Sequence, residues 1–315
     1  METVSVIIAA YNAEDTIGRA VESALSNTAV TDVIVVSDSS TDGTAELIKR
    51  NPAFGERLIL IELQKNVGPS YARNVAIDRS KSDWIAVLDA DDYYLPDRIE
   101  ALLAKAGSAD FVADDLILEG ISANGAGRRF LIGVEKGDRQ VISFEDFVMA
   151  NLASAQTSRR ELGYLKPLMR RQFLRENGLR YDDNVRLGED YLLYTKALAL
   201  GAQFILLAAM GYVYVGTPNS LSRRHREEDL LALRDADGEI LEAFDLSVSR
   251  RRLMKRHYKD VDAKLAWRKF IRAVKERNAA LVVECFSRSY FVSRYVVVQF
   301  ITELFRRLTG QRQPT

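Results

Sequence analysis

Over the first ninety positions the apolar residues fall into four short runs, and polar stretches with helical spacing separate them. Val4-Ser5-Val6-Ile7-Ile8-Ala9-Ala10 is nearly continuous in hydrophobicity, which predicts a strand buried on both faces. Tyr11-Asn12 breaks it, and Glu14, Asp15 and Thr16 stand where acceptor side chains favour a helix start, so a helix is expected through Ser26. Val33 to Val36 predicts a second strand. Its polar exit, Ser37-Asp38-Ser39-Ser40-Thr41-Asp42-Gly43-Thr44, leads into a helix with Leu47 and Ile48 inward, and Asp42-Gly43-Thr44 reads as the cap. Leu58 to Leu63 predicts a third strand, Asn66-Val67-Gly68-Pro69 a turn, Ser70 to Ala76 a helix and Trp84 to Leu88 a fourth strand.

Strand and helix thus alternate four times with short connections, the pattern of a parallel sheet covered by helices. Ligands of such sheets bind outside the carboxyl ends of the strands. Four features fall on that edge: Tyr11, Asp38, Arg73 and the acidic cluster Asp89-Ala90-Asp91-Asp92. In extended chain, residues i and i+2 share a face, so Asp89 and Asp91 can turn toward one cation and the phosphates it neutralises. The plainer reading is an acidic turn capping a helix near Pro96. Ala9-Ala10-Tyr11-Asn12-Ala13 lacks the glycines of a dinucleotide fingerprint, and a sugar-nucleotidyltransferase would place a glycine-rich basic loop there.

Farther on, Phe111-Val112-Ala113 predicts a short strand whose end places Asp114-Asp115 to line a donor sugar, and Gly120 to Gly137 reads as a hairpin or loop. Lys166-Pro167-Leu168-Met169-Arg170-Arg171 precedes an amphipathic segment that stops at Asn177-Gly178. Gly188 breaks the chain before Glu189-Asp190, and Leu192, Leu193 and Ala197 begin a helical apolar face. The two acids are either a charged cap on that helix or a functional pair. A further strand, Tyr212 to Val215, precedes the basic run Ser220-Leu221-Ser222-Arg223-Arg224-His225-Arg226.

Charge changes this picture at the C-terminus. The chain has 44 basic and 44 acidic residues, yet residues 250–315 carry 17 Lys or Arg against 5 Asp or Glu, which leaves 27 against 39 for the rest. Trp267, Phe270 and Val274 recur at helical spacing there, and Tyr290 to Ile301 is strongly apolar and aromatic. Arg288, Arg294, Glu303 and Arg306 interrupt that segment, so it is too short to span a bilayer core of about 30 Å. The tail is expected to dock on an anionic membrane surface or to pack or dimerise as a helical subdomain. No nucleic-acid module accompanies the charge. The single cysteine, Cys285, excludes an internal disulfide, and two histidines, His225 and His257, cannot build a histidine-based metal site. The N-terminus has no signal-peptide layout, so a cytoplasmic protein on the inner face of the plasma membrane is expected.

Taken in order, Val4 to Asn12, Asp38 to Thr44, Asn66-Val67-Gly68 with Ala72-Arg73-Asn74, Asp89 to Asp92 and Glu189-Asp190 resemble the motifs of family 2 glycosyltransferases, the succinoglycan-type exopolysaccharide enzymes among them. The resemblance spans residues 3–225. It implies a GT-A α/β fold, a mostly parallel sheet flanked by helices, with a nucleotide-binding part at 1–106 and an acceptor and catalytic part at 107–225, and the charge pattern adds a basic helical region at 226–315. It implies an inverting transferase that moves a hexose, glucose by default, from a UDP-sugar to a lipid-linked oligosaccharide with Mn2+ or Mg2+. By position, Ala9, Tyr11, Asp38, Arg73, Asp89, Ala90 and Arg223 would bind the nucleotide sugar. Tyr11 would stack on uracil, Asp38 accept from its N3, Arg73 reach base or phosphate, and Asp89 hold the ribose or a metal-bound water. Asp91 and His225 would hold the metal, Asp92 would share that role or cap a helix, and Asp190 would take the acceptor's proton. Ser37 and Ser39 depart from the acid and glycine usual beside Asp38. A sugar-nucleotidyltransferase and a non-catalytic membrane scaffold are the rival readings.

Overall fold

The β-branched runs form the middle of one sheet. In the computed structural model, which describes residues 2–120, 129–152, 161–216, 226–287 and 289–309, β1 (Val4–Ala10), β2 (Val30–Ser37), β3 (Leu58–Glu62) and β4 (Trp84–Val87) pair in parallel in the spatial order β3-β2-β1-β4. Val6, Ile7 and Ile8 and the run Val33–Val36 are fully buried, as a strand covered on both faces requires. The connections are α1 (Ile17–Leu25), α2 (Thr44–Arg50) and α3 (Pro69–Arg79). α1 buries Ile17, Ala20, Val21 and Ala24, one stripe at helical spacing. The cap before α2 forms as its residues predict: Asp42 accepts from the Thr44 amide while Glu14 accepts from that of Gly43.

After β4 come β5 (Tyr93–Tyr94), α4 (Arg98–Ala106), β6 (Phe111–Asp114), β7 (Ile117–Glu119), β8 (Arg129–Phe130), β9 (Arg139–Ile142) and α5 (Phe144–Asn151). Then follow β10 (Leu168–Arg170), α6 (Arg171–Glu176), α7 (Glu189–Ala199), β11 (Phe204–Leu207) and β12 (Tyr212–Val215). The main sheet runs β3-β2-β1-β4-β10-β6-β11-β9, with β10 antiparallel to both neighbours, and a smaller sheet runs β5-β12-β7-β8. β10 lies inside the predicted approach to an amphipathic segment. Three residues carry no readable period, and only the neighbours β4 and β6 make them a strand.

Three acids differ from expectation. Asp92 caps no helix: it is fully buried, and its carboxylate accepts from the Tyr212 hydroxyl and the Val215 amide, both at 2.8 Å. Asp114 is also fully buried, and both its carboxylate oxygens are taken by protein groups. It accepts from Arg98 Nη2 at 2.7 Å and from the amides of Met210 and Gly211 at 2.9 Å. Asp115 accepts from the amides of Ile132, Gly133 and Val134, which spends it on the loop opposite. These acids face inward because each meets backbone N–H groups that would otherwise be buried without acceptors. Gly211 has φ of 144°, and a Cβ there would stand 2.9 Å from Leu95 Cβ. Only glycine lets the chain pass this close.

The chain divides into two compact units, Met1–Asn151 with Ser158–Ser220, and Leu152–Thr157 with Leu221–Thr315. The described part of the second is helical: α8 (Glu227–Ala243), α9 (Val248–Lys275), α10 (Ala279–Phe286) and α11 (Tyr290–Thr309). Ala263, Ala266 and Phe270 of α9 pack with Cys285, Val292 and Val296 into its core. Phe270 is therefore a core residue, whereas Val274 is exposed. His257 pairs with buried Asp237 at 2.6 Å.

Arg98 is fully buried beside Asp114, and it also donates to the Lys166 carbonyl at 2.8 Å. Arg98→Leu leaves the Asp114 carboxylate buried without its cation, and equilibrium unfolding in urea is expected to show a loss of about 3–5 kcal/mol; an unchanged midpoint would refute this account.

Candidate functional site

Because β1, β2 and β4 are parallel, their exits lie on one edge, and Tyr11, Asp38 and Asp89 follow directly from them. α3 supplies the next part through an unusual face. Its buried residues include Ser70, Arg73 and Asn74, where a core-facing helix ordinarily presents aliphatic side chains. Ser70 donates to the Val185 carbonyl, and Asn74 both donates to the Tyr181 carbonyl at 2.9 Å and accepts from its amide at 3.0 Å. α3 thus grips the segment 181–185 by hydrogen bonds. The segment leads directly to Glu189 and Asp190 at the start of α7.

The grip brings five ionisable side chains together. Arg73 donates to Glu189 at 2.8 Å and to Asp89 Oδ1 at 2.7 Å. Lys166 reaches Asp89 Oδ2 at 2.8 Å and Asp190 Oδ2 at 2.6 Å, and the Tyr181 hydroxyl donates to Asp190 Oδ1 at 2.9 Å. Arg73, Lys166 and Asp190 are each 5% exposed, so these pairs are screened little by water. Burial works against the Asp89 carboxylate, but Lys166 and Arg73 outweigh it and hold its pKa well below the usual range. Burial likewise disfavours the Lys166 ammonium, and Asp190 and Asp89 overcome it and raise its pKa. Glu189 moves the other way, because burial raises it more than Arg73 lowers it.

Arg73 was expected to reach a base or phosphate and Asp89 a ribose or metal water; in the structure both are partnered by protein. Ala9 and Ala90 are half-buried at the strand exits, and Tyr11 presents a ring that is 52% exposed. Asp38 is buried, and each carboxylate oxygen accepts a backbone N–H at 2.8 Å, from Val67 and from Gly68. It thereby joins the β2 exit to the turn before α3. Arg223 and His225 lie outside the described residues, as does the rest of the basic run through His225.

Asp91 stands apart. Its carboxylate takes no hydrogen bond or ion pair from another described side chain, while its carbonyl accepts from Arg19 at 3.0 Å. Burial, then the neighbouring Asp89 charge, raises its pKa. Among the described residues no group of three His, Cys, Asp or Glu forms a cage for a metal ion. A single half-buried carboxylate fits a different arrangement, in which one or two carboxylates hold a divalent cation whose remaining positions go to phosphates and water. The donor set suits such an ion.

Lys166 escaped the sequence reading. Its only sequence mark is the following Pro167, which favours an extended backbone at Lys166, just before β10.

A mostly parallel sheet with aromatic and acidic residues at its carboxyl edge, facing an acid pair at a helix start, is the α/β architecture of GT-A glycosyltransferases. Residues 5–146 match the profile of glycosyl transferase family 2. The succinoglycan biosynthesis protein ExoU of Rhizobium meliloti is 40% identical over 272 residues, 85% of this chain and 78% of that protein. ExoO of the same organism is 32% identical over 98% of this chain and 87% of its own length. The chain belongs to glycosyl transferase family 2. The Staphylococcus aureus TarS 1-349 structure in complex with UDP-GlcNAc aligns with a TM-score of 0.65 at 19% identity, covering 99% of this chain and 93% of that one, which shows the shared fold.

Lys166→Met removes the cation between the buried Asp190 and the half-buried Asp89. It is expected to lower stability by about 3–5 kcal/mol in urea titrations, and Lys166→Arg to restore part of the loss. Stability equal to wild type in Lys166→Met would mean that the pairing is not formed.

Proposed function

We propose that the first unit catalyses inverting transfer of a hexose, glucose by default, from a UDP-sugar to an oligosaccharide acceptor, lipid-linked in the assembly of a cell-surface polysaccharide. The observation that carries this reading is the Asp91 carboxylate at the exit of β4, which has no hydrogen-bond or ion-pair partner among the described side chains and lies two residues from the fully paired Asp89. The family supports transfer of a sugar, and the names of ExoU and ExoO support a polysaccharide product. The UDP-GlcNAc bound by TarS supports a uridine nucleotide as donor.

In this reading Tyr11 offers its exposed ring to the uracil, and Asp38 fixes the turn that borders it. Asp91 would hold Mn2+ or Mg2+, which supplies positive charge to the departing diphosphate. Asp190 accepts the proton of the acceptor hydroxyl. As that O–H bond breaks, the oxygen attacks the anomeric carbon from the face opposite the diphosphate, and the bond from that carbon to the diphosphate oxygen breaks with inversion. A carboxylate has roughly four lone-pair positions, so Asp190 keeps capacity for the proton while bonded to Lys166 and Tyr181. Arg73 and Lys166 act as positioning residues that hold the acids in place.

Calorimetric titration with UDP, with and without Mn2+, tests the donor site. Wild type is expected to bind UDP more tightly with the metal, and Asp91→Ala to lose the metal-dependent part. No UDP binding by the wild type would favour the scaffold reading. Asp190→Asn is expected to keep UDP binding while kcat falls about 10²- to 10⁴-fold, measured as UDP release with a sugar acceptor. Retained kcat would remove Asp190 from the base role.

A further inference from the structure

In the second unit α11 is amphipathic with an unusual outer side. Val292 and Val296 are buried in the helical core, while the opposite side carries Tyr290, Val297, Ile301, Leu304, Phe305 and Leu308 at helical spacing. These are exposed: Tyr290 by 83%, Ile301 by 58%, Phe305 by 64% and Leu308 by 78%. A helix that packs apolar residues on both sides needs a second apolar surface. Arg294 shares the outer face, and its aliphatic stem is long enough to lift the guanidinium toward a polar layer.

The first turn of α11 meets a basic cleft. Phe291 lines it together with Leu246 and Val248 and with Arg251, Arg252, Lys255, Arg256 and Lys259 of α9, around about 510 Å³. Arg251 is spent on the carbonyl of Leu241. Arg252, Lys255, Arg256 and Lys259 are exposed, and none is ion-paired with a described carboxylate. Their i, i+3 and i, i+4 spacing puts them on one face of α9. An exposed apolar helix beside an unneutralised cationic face matches one kind of surface, a bilayer interface with anionic headgroups. A dimer through α11 would bring two such cation sets together, which like charges oppose. No described helix is long and apolar enough to cross the membrane.

We propose that the second unit docks on an anionic bilayer, with α11 lying along the interface, its outer face against the acyl boundary, and the α9 cations over lipid phosphates. This docking is independent of the donor site, so the two succeed or fail separately. The test is co-sedimentation of the full chain with vesicles of pure phosphatidylcholine and of phosphatidylcholine mixed with phosphatidylglycerol. Wild type is expected to bind the mixed vesicles at least about tenfold more strongly, with the difference shrinking at high ionic strength. Ile301→Glu with Phe305→Glu, and separately Arg252→Glu with Lys255→Glu and Arg256→Glu, are expected to lose that binding while keeping helical circular dichroism and UDP binding. Wild-type binding that ignores phosphatidylglycerol would overturn the proposal, as would undiminished binding by both variants. So would a wild-type dimer that the Ile301→Glu, Phe305→Glu variant converts to a monomer without any vesicle binding, which would assign the face to a second copy.

Discussion

The Lys166 ammonium, held between Asp89 and Asp190, is the contact on which the arrangement of the site depends. Each of these groups would be costly to bury alone, and together with Arg73 and Glu189 they alternate in sign along one chain of contacts. The participants come from the exit of β4, the approach to β10, α3 and the first turn of α7. Moving any one of these elements strands a charge. The geometry is therefore over-determined, which is the condition for a pre-organised site.

The supports of this contact are polar as well. Ser70 and Asn74 make α3 a bracket for 181–185, and Arg98 fixes the Lys166 backbone while its other bonds satisfy Asp114. Six acids in or near the sheet edge accordingly have different fates. Asp92, Asp114 and Asp115 accept backbone amides and order loops. Asp89 and Asp190 are neutralised by cations. The Asp91 carboxylate has neither kind of partner among the other described residues. Residue type did not distinguish them; the direction of each carboxylate did.

The second unit uses burial in another way. Its core is built on Ala263, Ala266, Phe270 and the inner face of α11, and it leaves Tyr290, Ile301, Phe305 and Leu308 exposed on the outer face of that helix. The concentration of cations in residues 250–315 gives this surface a polar setting different from that of the first unit.

Hydrophobic period and turn chemistry act over a few residues, and they were enough to determine four strands, three crossover helices and the order of the motifs along one sheet edge. That is why Tyr11, Asp38, Arg73, Asp89 and Asp190 were legible as candidates, and why the family resemblance was visible. The capping of α2 by Asp42 and Glu14 was legible in part for the same reason, since Asp42 bonds two residues along the chain. The insertion of β10, the inward turn of Asp92 and Asp114, and the role of Lys166 were decided by tertiary structure alone. Lys166 is separated from Asp190 by 24 positions, and Arg73 from Glu189 by 116. No local pattern encodes such pairs, because a buried charge finds its partner in the space that the packed elements leave, not along the chain that carries it.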